Sequence, residues 1–161
     1  MDELILAQSE LPMELAGLPL TRSEHQKVDI LEAGLATFPQ TQMEPIHHFA
    51  KGMYIRELTL PAEQFIVSKL HKTEHMCILG RGEVSIWRGG GLVKLTAPLC
   101  FKSHPGARRV LYTHTECVFY TIHATNATDL DDLEEEIIAK PEEREELLLQ
   151  IEAKYPDLKG L

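Results

Sequence analysis

The sequence predicts a mainly β protein, an antiparallel sandwich or small barrel. An N-terminal arm and helix precede it and two C-terminal α-helices follow it. Two observations carry this. Between residues 47 and 128 short apolar runs recur at close, even spacing with Gly and Pro between them. After residue 128 the composition switches to acids and aliphatic residues at helical spacing, punctuated by Pro141 and Pro156. The 161 residues suffice for one domain with its own core, and 43% hydrophobic against 25% charged residues is a globular composition. We divide that domain into an arm and helix packing on the barrel (1–46), the barrel (47–128) and acidic helices (129–161).

The elements follow in order. Residues 1–22 hold leucines broken by Pro12 and Pro19, which reads as an irregular arm. Ser23, with Gln26 three residues on, caps a helix whose Val28, Leu31 and Leu35 share a face, and Pro39 ends it. Residues 40–52 form a connector containing His47, His48 and a Lys51-Gly52 turn. Strands are expected over Met53–Leu60, Phe65–His71, His75–Leu79, Glu83–Arg88, Leu92–Leu95, Leu99–Lys102, Ala107–Tyr112 and Val118–His123. Gly89-Gly90-Gly91 supplies a hairpin tip. Thr128 and Asp131 resemble a capping box for a helix over Asp129–Ala139, with Leu130, Leu133, Ile137 and Ile138 on its buried side. Pro141 opens a second helix, about 141–154, with Leu147, Leu148 and Ile151 inward.

The net charge of −9 is uneven. Residues 129–161 carry 12 acids and 4 bases, and residues 1–46 carry 8 acids and 2 bases. The middle has 10 bases, 5 acids and seven of the eight histidines. A mildly basic body admits a small anionic ligand. No dense basic stripe with interleaved aromatics favours nucleic acid, and no apolar run approaches the ~18–20 residues of a membrane span. Cys77, Cys100 and Cys117 are an odd, scattered set, which fits reduced thiols and a cytoplasmic setting. The acidic start lacks the basic region of a signal peptide.

The chemistry concentrates in Lys69-Leu-His-Lys-Thr-Glu-His75. Two imidazoles four residues apart can face one first-row metal if further ligands converge on them. His123 is the best third ligand, because the two-residue period puts Phe119, Thr121 and His123 on one face of the last strand. His47, His48, His104 and His114 are weaker spares. Arg108 and Arg109 point to opposite faces, so one of them enters the barrel. Tyr112 and Trp87 can stack on a ligand or pack in the core. Cys77 shares the parity of His75. Arg56-Glu57 can pair, or one of them can face solvent.

The segment 60–123 resembles a cupin. That family's first motif is G-x5-H-x-H-x3,4-E-x6-G. Here Lys69, His71, His75 and Gly82 keep the spacing but change the types: Lys69 stands at the first histidine, His75 at the carboxylate and Glu63 at the starting glycine. The second motif, G-x5-P-x-G-x2-H-x3-N, is met only by His104-Pro105-Gly106, with Arg109 at its histidine and Thr113 at its Asn. The wider run is similar to small cupin-like proteins encoded by bacteriophages and prophages, which would place the chain in a host cytoplasm. The resemblance implies a cupin β-barrel, or jelly roll, with a pocket bounded by His71, His75, Lys69 and Arg109.

Three functions follow as expectations. The pocket binds a small anionic molecule through Lys69, Arg109 and Tyr112, a divalent metal (Fe, Mn, Ni or Zn) through His71, His75 and His123, or both. Alternatively the metal serves an oxygenase or isomerase acting on a small oxygen-rich substrate. Alternatively the jelly roll is a structural module of phage assembly. The apolar arm and open sheet edges suggest a homodimer.

Overall fold

In a computed structural model of the chain, which describes residues 15–88 and 91–156, nine strands build two antiparallel sheets. The strands are β1 (Ile46–Ala50), β2 (Met53–Leu60), β3 (Phe65–Val67), β4 (His75–Arg81), β5 (Glu83–Arg88), β6 (Gly91–Thr96), β7 (Leu99–Ser103), β8 (Val110–Thr113) and β9 (Cys117–Ala124). One sheet runs β1-β2-β9-β4-β7 and the other β3-β8-β5-β6. Their inner faces meet in a core of Leu60, Leu79, Phe101 and Phe119 from the first sheet and Val84, Ile86, Leu95 and Leu111 from the second. This is a jelly-roll sandwich, as the alternation of short strands predicts. The expected arm lies mostly before residue 15, and two glycines of the expected hairpin tip are residues 89 and 90. Both fall outside the described residues.

Three strand assignments change. β1 was expected as connector. It pairs with β2 through the Lys51-Gly52 turn, Gly52 taking φ 76°. All five of its residues are exposed, so it carries no burial alternation to read. The strand expected over Phe65–His71 stops at Val67. Beyond it Ser68 N–H donates to Arg109 O (2.8 Å) and His71 N–H to Ala107 O (3.0 Å), while His71 bridges to Ile138. The strand expected from Ala107 accordingly starts at Val110.

Gly82 takes the chain from β4 in one sheet to β5 in the other at φ 94°. A Cβ there would lie 2.4 Å from Glu116 O and 2.6 Å from Cys117 Sγ. Gly82→Ala is therefore expected to destabilise the fold by roughly 3 kcal/mol or more, through a disfavoured dihedral and a clash with backbone. A urea midpoint close to that of the unaltered protein would refute this.

Helix α1 (Arg22–Leu35) begins two residues earlier than a Ser23 cap predicts. Its N-cap is Thr21, whose Oγ1 accepts from Glu24 N–H (3.1 Å), while Thr21 N–H donates to Glu24 Oε1 (3.0 Å). An acid three residues after Thr completes the box better than Gln26 could after Ser23. Only Val28 of the expected apolar face is buried, and Leu31 is 39% exposed. Charge docks the helix instead. Arg108 pairs with Asp29 (2.7 Å) and with Glu32, Arg144 with Asp29 (2.9 Å), and Arg88 with Glu24 (3.5 Å).

At the other end, α2 (Leu130–Ile137) is capped by Asp129, which accepts from Asp132 N–H at 2.9 Å, rather than by Thr128. Leu133 and Ile137 are buried against Tyr54. Leu130 is 39% exposed, and Ile138 lies past the helix. A 3-10 turn (Pro141–Glu143) leads into α3 (Arg144–Lys154), which buries Leu147, Leu148 and Ile151 as expected. Among the described residues no helix is long and apolar enough to cross a membrane.

Candidate metal centre

Strand register places the first chemical row. Tyr54 pairs with His123 across β2 and β9, and His75 pairs with Ser103 across β4 and β7. Because Met76 pairs with Ile122, His75 sits beside His123. The inner face therefore reads Tyr54–His123–His75–Ser103. The next inward row reads Arg56–Thr121–Cys77–Phe101. His71 reaches the first row from the segment linking β3 to β4. It is held there by Ala107, and by the C-terminal segment through Lys72 N–H to Ile137 O (2.9 Å) and Ala139 N–H to Leu70 O (2.9 Å).

The three imidazoles converge. Ring centroids are 4.7 Å apart for His71–His75, 5.9 Å for His71–His123 and 4.4 Å for His75–His123. One nitrogen from each lies within 4.8 Å of the others. His71 Nδ1, His75 Nε2 and His123 Nδ1 are buried with no hydrogen-bond partner. The carbonyl of Thr73 can only accept, so His75 Nδ1, 3.1 Å away, carries the proton and Nε2 keeps its lone pair. Burial pushes all three imidazoles below their ordinary value of about 6.5. His71 falls well below it, helped by His75 and Arg109. His75 falls to about 3, helped by His123, and His123 to about 4, helped by Arg56 and Arg109. They are neutral at pH 7, as metal ligation requires.

His71 and His123, though not His75, line a cavity of about 440 Å³ between the sheets. Arg109 enters it, and Arg108, one residue away, faces α1, as alternation demands. Arg109 is 8% exposed. Its Nη1 donates to Ser103 Oγ (2.9 Å) and its Nη2 to Cys77 Sγ (2.9 Å), so it spans both rows. Cys77 is fully buried under that guanidinium. Lys69 reaches only the rim, where its exposed ammonium meets Glu134 Oε1 at 3.3 Å.

Tyr112 corrects the expected ligand set, because it does not line this cavity. It is one residue out of phase with Leu111, packs on Phe65 with centroids 4.8 Å apart, and lines a separate groove on the outer face of the second sheet. Trp87 lines that groove too, packed with Leu20, Val28 and Val110. Of the spare histidines His47 lines the cavity, bonded to Tyr54 Oη (2.6 Å), and the others are engaged elsewhere: His48 with Glu57 (3.1 Å), His104 with Tyr155 Oη (3.4 Å) and His114 with Ser85 Oγ (2.6 Å).

Two contributions escape the sequence reading. Arg56 lines the cavity, and its parity with Tyr54, Leu58 and Leu60 is the signal that points there. Helix α2 walls the mouth through Leu130, Leu133, Glu134 and Ile137, and no local pattern announces that.

No family model matches the chain, and neither does any curated protein. Among solved structures, it is similar to a cupin-2 domain containing protein from Shewanella frigidimarina at 14% identity. That match covers 59% of this chain and 92% of that one, with a TM-score of 0.43. It is similar to a cupin superfamily protein from Desulfitobacterium hafniense at 10% identity, over 57% and 85% of the two chains, with a TM-score of 0.44. A putative ethanolamine utilization protein Q from Salmonella typhimurium matches at 12% identity over 54% and 72%, with a TM-score of 0.45. None of these comparisons points to a bacteriophage or prophage. All three TM-scores are below 0.5, and the jelly roll rests on strand order, register and the two facing sheets.

Proposed function

We propose that the chain is a cupin-type binding protein whose pocket holds a divalent first-row metal on His71, His75 and His123, with a small anionic molecule beside it. The observation that carries the reading is the triad: three buried, neutral imidazoles, each with a nitrogen that has no partner. An unsatisfied buried nitrogen costs roughly 1–3 kcal/mol, and three turned toward one point make sense when a single ion satisfies all of them. Three imidazoles suit Fe, Mn, Ni or Zn, and three protein ligands leave positions open toward the cavity. When bound, the ion supplies Lewis-acid polarisation of an oxygen ligand. The protein's part is to keep the imidazoles neutral, to fix the His75 tautomer through Thr73, and to hold Arg109 beside them on Ser103 and Cys77. Motif spacing at residues 71–82 supports the cupin reading.

Elemental analysis tests it. Protein stripped with a chelator and returned to Zn²⁺ or Mn²⁺ is expected to take up one ion per chain. At a hundredfold excess over Kd it should gain about 2.7 kcal/mol of stability. Substoichiometric uptake of every first-row ion, with no gain in melting temperature, would sink the proposal.

A further inference from the structure

The cavity holds more positive charge than its own carboxylates offset. Arg56, Lys69 and Arg109 line it against a single carboxylate, Glu134, and Lys69 already occupies that one. Among the described residues, the arginine ion pairs use Arg22, Arg81, Arg88, Arg108 and Arg144, and neither Arg56 nor Arg109. Arg109 is the costly one. It is more than nine-tenths buried, and its guanidinium is met by a hydroxyl, a thiol and the ring face of Phe101 (5.4 Å), none of them an anion. Of its five N–H donors those contacts use two. A buried cation is tolerated when a counter-charge sits against it, and the protein provides none. An ion on the adjacent triad would raise the deficit further.

Beside Ser68, Thr121, Tyr54 and His47, the rest of the wall is hydrocarbon. Leu58, Leu60 and Phe119, which follow the second row inward along β2 and β9, line the cavity with Ile66 and Leu111. A volume of about 440 Å³ is that of a small-molecule site. A phosphate would want donors on all sides, whereas the aliphatic wall of Leu58, Leu60, Ile66, Leu111 and Phe119 offers none.

We infer that the ligand of this pocket is a small carboxylic acid with an apolar body. Its carboxylate lies on the guanidinium of Arg109, and its hydrocarbon lies along Leu58, Ile66, Leu111 and Phe119. The inference rests on the pocket reading above and names its ligand class.

Calorimetric titration of the zinc-treated and the metal-free protein with acetate, butyrate, hexanoate, hexan-1-ol and inorganic phosphate tests this. Affinity is expected to rise about fourfold per methylene from acetate to hexanoate, as burial of CH₂ groups requires. Hexan-1-ol should bind at least ~10-fold more weakly than hexanoate, and phosphate more weakly still. Arg109→Gln should weaken hexanoate by ~10-fold or more. Hexan-1-ol binding as tightly as hexanoate, phosphate binding more tightly, or hexanoate binding unchanged in Arg109→Gln would each overturn it. If that variant does not fold, the acid–alcohol pair and the chain-length series in the unaltered protein decide alone. Zinc content measured on the same samples separates the two readings. Hexanoate binding without zinc uptake removes the metal centre and leaves this inference standing. Zinc uptake without hexanoate binding does the reverse.

Discussion

Replacing His71 or His123 with alanine is expected to weaken metal binding by ~100-fold or more and to abolish stoichiometric uptake. Losing even an outer-shell partner of a metal ligand costs ~10- to 100-fold, and here one of three ligands goes. His71 and His123 come from opposite sides of the pocket, one on the β3–β4 linker and the other on β9. Parallel losses in the two variants would therefore show one shared ion. His48→Ala and His114→Ala serve as controls, because those rings bond to Glu57 and Ser85 outside the triad. Elemental analysis after gel filtration reads the result. Full metal content in either triad variant would refute the assignment of that residue. The fold should survive, since removing an imidazole whose nitrogen has no partner also removes an unsatisfied group.

The second large effect is on acid stability of the metal-free protein. Burial holds His25 at about 4, with Arg144 and Arg108 pushing the same way, and holds His75 at about 3 and His123 at about 4. In the unfolded chain each titrates near 6.5. These folded-state values are depressed, so between about pH 6.5 and 4 the unfolded state binds more protons and stability falls as pH falls. Taken together, the three groups should cost about 6 kcal/mol between pH 8 and pH 5, and His71, shifted the same way, adds to this. That is comparable with the whole stability of many domains. Urea unfolding of chelator-treated protein at pH 8, 6 and 5 measures it. His25→Phe keeps the shape of a fully buried ring and removes one titration, so its acid loss should be about 2 kcal/mol smaller. Equal urea midpoints at pH 8 and pH 5 would show that these histidines are not held neutral.

His25 also shows how a local pattern misleads. Apolar spacing put Val28, Leu31 and Leu35 on the buried face of α1, yet Glu24, His25 and Val28 are the residues buried there. The helix docks through arginines of β5, of the loop before β8 and of α3, and their positions follow from tertiary packing. The strand connecting β3 to β4 was over-extended for a similar reason. Its apolar content reads as strand, but its backbone groups pair with residues 107–109 and with the C-terminal segment instead.

What the sequence determined by itself was the jelly roll, most strand positions, His71 and His75 as the centre of interest, and His123 as the third member. Each follows from local rules: two-residue alternation, Gly and Pro punctuation, and side-chain parity within one strand. Tertiary structure alone decided which cations face the pocket. Lys69 stays at the rim on Glu134, Tyr112 turns to the outer face, and Arg56 and α2 enter the wall. Parity gives two faces, but which one is inside depends on how two sheets close on each other and on a helix that folds back from more than 50 residues away. The triad is a product of both: register brought His75 beside His123, and the C-terminal segment held His71 against them.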